Sequence, residues 1–176
     1  VDDNGLKISA LCGDLGGGFT DREKNPERIR RSKLILELAK ELGTDIVTTH
    51  IGVVPKDPQA EQYKIMQEAC FELSAYADGL NAHFAVETGP ETSLILKGFL
   101  DSLNSRGVAV NLDPANLVMV AGDDPVQAVY NLKDYIVHTH AKDGRMLLAD
   151  NAEAVYSESE EPVVTAKSYI ELPLGE

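Results

Sequence analysis

Acidic and histidine side chains recur where short apolar runs of the sequence end. Glu87 and Asp113 each close such a run, His50 closes an earlier one, and His138 and His140 lie in the last one. Carboxylate oxygens and an imidazole nitrogen are suitable ligands for a divalent ion such as Mn²⁺, Mg²⁺, Co²⁺ or Zn²⁺. The same side chains can move protons, so the pattern indicates metal-assisted or acid–base chemistry.

The runs that carry these side chains are predicted to be β-strands, because they are short, apolar and rich in β-branched residues. The predicted strands are residues 7–11, 45–51, 83–87, 108–113 and 135–141. Helical patterns fill the intervals: the first opens at Pro26 and stops at Gly43, two more cover residues 57–80 and 91–105, and a fourth begins near Asp124 and Pro125. This alternation implies parallel strands joined by right-handed crossovers.

Two α/β architectures have such an alternation, an open doubly wound sheet and a (β/α)8 barrel. A complete barrel usually needs about 250 residues, whereas this chain has 176 residues. The chain is therefore predicted to be either an open sheet or part of a longer barrel. In both architectures the carboxyl ends of the strands share one face. Neighbouring strands lie roughly 4.8 Å apart, so three consecutive strand ends can surround one ion.

Each of these side chains also has a purely structural interpretation. A carboxylate at a strand end commonly caps the following helix, and a single histidine in a strand is commonly a core residue. The coincidence on four consecutive strands favours a metal or catalytic site. Alternation places His138 and His140 on the same side of the last strand, with His138 one layer deeper. His140 is therefore the better ligand, and structural and functional interpretations of His138 stay equally open.

Five short motifs, in their order along the chain, resemble the sugar phosphate isomerase/epimerase family of xylose isomerase-like barrels. The motifs are HIG, VETG, NLDPANL, HTHAKDG and LPLGE, starting at residues 50, 86, 111, 138 and 172. The resemblance runs from Lys7 to Glu176. It implies a (β/α)8 TIM barrel fold, with residues 1–176 as a single domain that covers an interior portion of the barrel, about five to six βα units.

The same resemblance, carried over residue by residue, implies one divalent metal ion held by Glu87, Asp113 and His140. The family's fourth ligand, a Glu near the eighth strand, has no counterpart in these 176 residues. Glu87 would be both a metal ligand and the catalytic base that removes a proton next to a substrate carbonyl, while the ion stabilises the developing enediolate.

Four further residues are predicted to contact the substrate: His50, Asn116, His138 and Lys142. The lysine is suited to a phosphate or carboxylate group. The predicted function is therefore a divalent-metal-dependent isomerase or epimerase that acts on a sugar, sugar phosphate or polyol-like substrate.

Three other functions are compatible with the fold to different degrees. A lyase or dehydratase stays open, because the same enediolate can eliminate a β-substituent, and a non-catalytic binding subunit also stays open. The AP-endonuclease branch of the superfamily is disfavoured. Its nucleases carry a histidine three residues after the Asp, where this chain has Asn116, and an Asp-x-His where this chain has Tyr, Ile and Glu at residues 169–171.

The composition favours some classes of partner and one cellular location over others. With 16 basic and 29 acidic residues the formal charge is −13, which repels nucleic acid and points to a small carbohydrate partner. No apolar run approaches the ~18 residues that span a bilayer. Cys12 and Cys70 match no zinc or redox spacing and the start of the chain is not a signal peptide, so a cytoplasmic protein is predicted.

Two further expectations concern the end of the chain and its edges. Residues 144–168 show little apolar periodicity and are predicted to form a surface loop or lid. If these 176 residues were the whole polypeptide, unpaired strand edges would favour a homo-oligomer.

Overall fold

The computed structural model of the protein describes residues 4–147 and 168–176. Five parallel strands form one sheet in which the spatial order follows the chain order. The strands are β1 (Leu11–Cys12), β2 (Ile46–Thr49), β3 (His83–Glu87), β4 (Val108–Leu112) and β5 (Ile136–Thr139). An open doubly wound sheet reverses its strand order at a switch point. The uninterrupted order seen here is that of a barrel wall.

Helices connect the strands. They are α1 (Asn25–Glu41), α2 (Glu61–Gly79), α3 (Ser93–Ser102), a short α4 (Pro114–Asn116) that continues into a π-helical turn (Leu117–Ala121), and α5 (Pro125–Leu132). The predicted start of the last helix is confirmed in detail. The carboxylate of Asp124 accepts hydrogen bonds from the backbone N–H groups of Val126 and Gln127, at 2.8 and 3.1 Å, and Pro125 is the first helical residue.

The sheet is strongly curved. Cα atoms of β5 lie within 8 Å of Cα atoms in β2 and in β3, although β4 separates β5 from both of them in the strand order. In a flat sheet β2 and β5 would be about 14 Å apart, because adjacent strands are separated by about 4.8 Å. The five strands therefore form an arc of a (β/α)8 barrel, as expected from the sequence.

The two sides of the sheet differ in chemistry. On one side, apolar strand residues such as Val47, Phe84 and Val110 are fully buried and belong to one core with the apolar faces of the helices. Period-two alternation puts the intervening residues, among them Ala85 and Ala109, on the opposite side, which corresponds to the barrel interior. The carboxyl ends of the strands on this interior side carry the polar residues described below.

The predicted position of the first strand, residues 7–11, is wrong except for its last residue. Pairing of β1 with β2 begins only at Leu11, opposite Val47. Upstream, the backbone carbonyl of Ser9 instead accepts a hydrogen bond of 2.8 Å from the hydroxyl of Thr44. A β-prone run becomes a strand only where a neighbour supplies ladder partners. The other four strands lie within their predicted ranges.

An antiparallel hairpin follows β5, and the sequence did not predict it. Strand β6 (Asp143–Met146) pairs with β7 (Tyr169–Leu172). The expected loop covered residues 144–168, but residues 144–146 belong to a strand. Residues 148–167 of that loop lie outside the described residues. Two interpretations stay predictions: that this loop is a lid, and that residues 1–176 form a single domain.

None of the helices in residues 4–147 and 168–176 is long and apolar enough to cross a membrane.

The contact between α2 and the start of β4 yields a first prediction. A Cβ atom on Gly107 would overlap the backbone carbonyl oxygen of Ser74 and lie 3.0 Å from the backbone nitrogen of Asp78. Backbone atoms in a packed helix cannot move aside cheaply, so Gly107→Ala should lower the free energy of unfolding by about 1–3 kcal/mol, measured by urea denaturation.

The matched control for this substitution is Gly98→Ala in α3. A Cβ there meets no atom within 4 Å, so this substitution should raise the free energy of unfolding by about 0.5–1 kcal/mol through helix propensity. Equal effects of the two substitutions would show that α2 does not pack closely on β4.

Candidate metal centre

Three side chains meet at the carboxyl ends of β3, β4 and β5. Glu87 is the last residue of β3, Asp113 directly follows β4, and His140 directly follows β5. The Nδ1 atom of His140 lies 3.3 Å from Oδ2 of Asp113 and 3.5 Å from Oε2 of Glu87. The three residues that the sequence analysis singled out as ligands are therefore neighbours in space.

An irregularity in β5 sets the level of His140. The ladder between β4 and β5 shifts by one residue after Val110, so that Val137 is skipped and His138 pairs with Asn111. Extra residues of this kind re-aim the side chains that follow them. As a result His138 lies at the level of Asn111, and His140 reaches the carboxylates at the end of the neighbouring strands.

The spacing of the three side chains fits a single divalent ion. Each offers one ligand atom, and these atoms all lie within 4.8 Å of one another. Two ligands on opposite sides of an ion with bonds of about 2.0–2.6 Å are about 4–5 Å apart. Two carboxylates and one imidazole also match the donor preferences of the ions expected from the sequence. The group could therefore hold a metal ion.

Glu87 is ionised at neutral pH. Burial alone would raise its pKa, but the close contact with His50 and the charges of His50, His140 and Lys142 outweigh that effect and lower the pKa below its ordinary value. Its Oε1 accepts a hydrogen bond of 2.8 Å from the side-chain amide of Asn116. The side chain is only 12% exposed, so its orientation is fixed on several sides.

The position of Asp113 is compatible with both interpretations that the sequence left open. Its Oδ1 caps the short helix α4 by accepting the backbone N–H of Asn116 at 2.9 Å, while its Oδ2 faces His140. The side chain is fully buried. A hydroxyl from the neighbouring strand end also holds its backbone: the N–H of Asp113 donates to Oγ1 of Thr88 at 2.8 Å, and that hydroxyl donates to the carbonyl of Asp113 at 3.0 Å.

Lys142 adds a positive charge to the same cluster. Its Nζ lies 2.8 Å from Oδ1 of Asn116, 3.4 Å from Oδ2 of Asp113 and 3.2 Å from Oε1 of Glu171 in β7. Burial lowers the pKa of Lys142, but the two carboxylates more than compensate, and the net pKa is raised. The hairpin therefore contributes Glu171, which the sequence analysis missed, to the rim of the cluster.

His50 is held between two carboxylates. Its Nδ1 lies 3.0 Å from Oδ2 of Asp14, and its Nε2 lies 3.6 Å from Oε1 of Glu87. The close contact with the carboxylate of Glu87 is the main cause of a raised pKa for His50, and burial opposes it. Asp14 was not singled out from the sequence. The first strand was predicted to end at Leu11, but β1 ends at Cys12, and Asp14 follows this observed end by two residues.

His138 lies one layer below the cluster, as expected from alternation. Its Nδ1 lies 2.9 Å from Oδ1 of Asn111, and its ring lies edge-on to the ring of His140, with the centroids 6.0 Å apart. Asn111 in turn contacts both Glu87 and His140. The sequence analysis missed Asn111, although its position two residues before Asp113 places it on the same side of β4.

Glu91 is a further acidic residue that the sequence analysis placed only in a helix. It precedes α3, is 6% exposed, and accepts a hydrogen bond of 3.1 Å from the backbone N–H of Val54. This contact joins the segment after β3 to the segment that follows His50. Burial raises the pKa of Glu91 to about 8, against the smaller opposing effect of the Val54 hydrogen bond.

Comparison with known proteins gives one matching family. A family model described as "Xylose isomerase-like TIM barrel" matches residues 1–165. None of the curated proteins matches the chain in sequence.

Solved structures share the fold. A xylose isomerase domain protein from Planctomyces limnophilus is 23% identical with a TM-score of 0.78, over 99% of this chain and 63% of that one. A probable 3-DHS dehydratase from Bacillus anthracis is 20% identical with a TM-score of 0.66, over 98% and 63%. A 3-keto-D-glucoside 4-epimerase from E. coli is 17% identical with a TM-score of 0.67, over 85% and 61%. The chain thus spans about three fifths of the length of these structures.

The burial of Glu91 predicts a distinct dependence of stability on pH. The folded protein holds the proton on Glu91 up to a pKa of about 8, whereas an unfolded chain releases it near the ordinary glutamate pKa of 4.5. Stability from this group is therefore fully present below pH 4.5 and is lost as the pH rises towards 8. Across that window the loss should approach about 1.4 kcal/mol per pH unit.

Glu91→Gln keeps an oxygen for the Val54 N–H but removes the titration. The variant should gain stability relative to the wild type as the pH rises from 5 to 8.5, measured by urea denaturation at each pH. Glu27→Gln, on the exposed face of α1, is the control and should run parallel to the wild type. If Glu91→Gln also ran parallel, Glu91 would be ionised in the folded protein.

Proposed function

The chain belongs to the xylose isomerase-like TIM barrel family, and we propose that it supplies the metal centre and the base of a divalent-metal-dependent isomerase or epimerase. The proposed substrate is a sugar, sugar phosphate or polyol-like molecule. The observation that carries the proposal is the meeting of Glu87, Asp113 and His140 at three adjacent strand ends, with ligand atoms within 4.8 Å.

The proposal names one divalent ion, Mn²⁺, Mg²⁺, Co²⁺ or Zn²⁺, with Glu87, Asp113 and His140 as its ligands. When bound, the ion supplies positive charge that stabilises the negative charge developing on the substrate oxygens. The remaining chemistry is proton transfer, which is assigned to side chains of this chain.

Glu87 is the proposed base. Its lowered pKa keeps it ionised at neutral pH, so the proton-accepting form is present without a preceding step. Its carboxylate takes the proton from the carbon next to the substrate carbonyl. In an isomerisation the same carboxylate can return this proton to the adjacent carbon. An epimerisation needs a second group on the opposite face, and this role is assigned to the family's Glu near the eighth strand, which has no counterpart in these 176 residues.

The substrate contacts are proposed to surround this carboxylate. His50 and Asn116 lie against Glu87, at 3.6 and 2.8 Å, and can donate to substrate hydroxyl groups. Lys142, charged and at the rim, is assigned to a phosphate or carboxylate substituent. His138 is assigned a contact from the deeper layer, through the ring nitrogen that does not face Asn111.

A lyase or dehydratase is the second candidate. The similarity of the chain to a probable 3-DHS dehydratase from Bacillus anthracis favours it. The first step, abstraction of a proton next to a carbonyl, is the same, and only the fate of the enediolate differs. Identification of the products by NMR separates the two: an isomer or epimer supports the first candidate, and an unsaturated product with released water supports the second.

The remaining parts of the proposal concern the protein's setting. The net charge of −13 favours a small-molecule partner over nucleic acid. A cytoplasmic location and self-association stay predictions.

Glu87→Gln in the full-length protein tests the central assignment. The substitution keeps the shape of the side chain but removes its charge and basic site. Solvent deuterium exchange into a turned-over sugar, followed by NMR, should fall by about 10²–10⁴-fold. The affinity for Mn²⁺ should fall as well. Glu41→Gln, at the exposed end of α1, should change neither quantity. Full exchange and full Mn²⁺ binding by Glu87→Gln would reduce Glu87 to a structural residue.

Lys142→Met tests the charge at the rim. A charge-assisted hydrogen bond to a phosphate is worth about 1.5–3 kcal/mol, so KM for sugar phosphates should rise roughly 10- to 100-fold. KM for the corresponding neutral sugars should change much less, and both values come from steady-state kinetics. An equal rise for the two substrate classes would mean that Lys142 acts on Asp113 rather than on the substrate.

A further inference from the structure

We propose that Asn111 is a positioning residue of the metal centre: its side-chain amide, itself held by His138, fixes Glu87 and His140 in the arrangement that a divalent ion requires. The inference rests on the proposed function, because it concerns the same centre. It assigns a role to a residue that the ligand set does not contain.

The position of Asn111 in the sheet is the first support. It lies on the interior side of β4 with no exposed surface. Its register partner on β3 is Glu87, and its register partner on β5 is His138. The skipped residue Val137 produces the second pairing, because a regular ladder would place Val137 opposite Asn111. The irregularity in β5 thus brings His138 to this amide.

The hydrogen bonds of Asn111 are the second support. Its Nδ2 lies 3.3 Å from Oε2 of Glu87 and 3.2 Å from Nε2 of His140, and its Oδ1 lies 2.9 Å from Nδ1 of His138. An amide has two N–H donors and one carbonyl acceptor. All of them are directed at ionisable side chains, and two of the three partners are proposed metal ligands.

The need for such a residue follows from the ligands themselves. A glutamate and a histidine at the ends of separate strands can each rotate about their side-chain bonds. Asn116 holds Oε1 of Glu87, and Asn111 holds Oε2, so the two contacts together fix the plane of the carboxylate. Partners of this kind orient metal ligands, and their loss typically lowers metal affinity about 10- to 100-fold.

An asparagine suits this position better than an aspartate would. In the present orientation Nδ2 of Asn111 donates to Glu87; rotation of the amide by half a turn would instead place Oδ1 opposite Nε2 of His140, where it can accept the Nε2 proton of a His140 that binds an ion through Nδ1. An aspartate has no donor for Glu87 and would add a second negative charge at 3.3 Å from it.

The test is Mn²⁺ binding to the metal-free, full-length protein in the absence of substrate, measured by equilibrium dialysis. Asn111→Ala should raise the Kd for Mn²⁺ about 10- to 100-fold. Ser74→Ala is the matched control, because Ser74 is equally buried but lies in α2, where it binds the backbone N–H of Val108 at 2.8 Å. The control should lower stability and leave the Kd unchanged. A Kd for Asn111→Ala close to that of the wild type would overturn the inference.

A second variant addresses the route through which His138 acts. His138→Ala, in the half-buried strand β5, should raise the Kd by a smaller factor. In the double variant, His138→Ala should add nothing to the effect of Asn111→Ala. Independent, multiplied effects would overturn the arrangement in which His138 acts through Asn111. Should Asn111→Ala fail to fold, an unchanged Kd for His138→Ala would overturn the inference on its own.

The same assay separates failure of this inference from failure of the proposed function. If Glu87→Gln weakens Mn²⁺ binding and Asn111→Ala does not, only the role of Asn111 is wrong. If Glu87→Gln binds Mn²⁺ as the wild type does, the metal centre is wrong, and the role of Asn111 is wrong with it.

Discussion

The carboxylate of Asp113 is a negative charge that solvent does not reach, and much of the surrounding structure compensates for it. Burial of an unpaired charge is costly, so such a group must be surrounded by donors and opposite charges. Asp113 has both: the N-terminus of α4 on one oxygen, and His140 and Lys142 on the other. The short helix directly after β4 is therefore part of the electrostatics of the site as well as a connection between strands.

The dual role of Asp113 also explains why its sequence context is ambiguous. A strand followed by Asp-Pro is a typical helix start, and the structure confirms that cap. One carboxylate has two oxygens, however, and a cap occupies only one of them. The helix cap and the proposed ligand are thus compatible. The cap even assists the second role, because it fixes the direction of the remaining oxygen.

The parts of the fold and site that the sequence predicted are those that follow from local periodicity. Glu87, Asp113 and His140 were among the strand-end candidates because parallel strands share a carboxyl edge and alternate with period two, and the family resemblance then implied that these three are the ligands. The missed parts depend on long-range pairing. Glu171 reaches the site only because β7 pairs with β6 across more than twenty residues, and the burial of Glu91 depends on Val54 from a different segment. Asp14 was lost with the misplaced end of β1. Asn111 was within reach of the alternation rule and was overlooked.

The balance of charge within the site gives the final reason for favouring a cation there. Four carboxylates lie in one connected group, those of Asp14, Glu87, Asp113 and Glu171, and Lys142 is the only lysine or arginine with a described ion pair to any of them. The raised pKa values of Lys142 and His50 are the direct consequence, since each gains from holding a proton near excess negative charge. Protonated histidines can make up part of the difference, but a protonated His140 has no lone pair on Nδ1 for a ligand bond. A divalent ion at the proposed centre would supply two positive charges. The excess of carboxylates in the group is then accounted for by the same assignment.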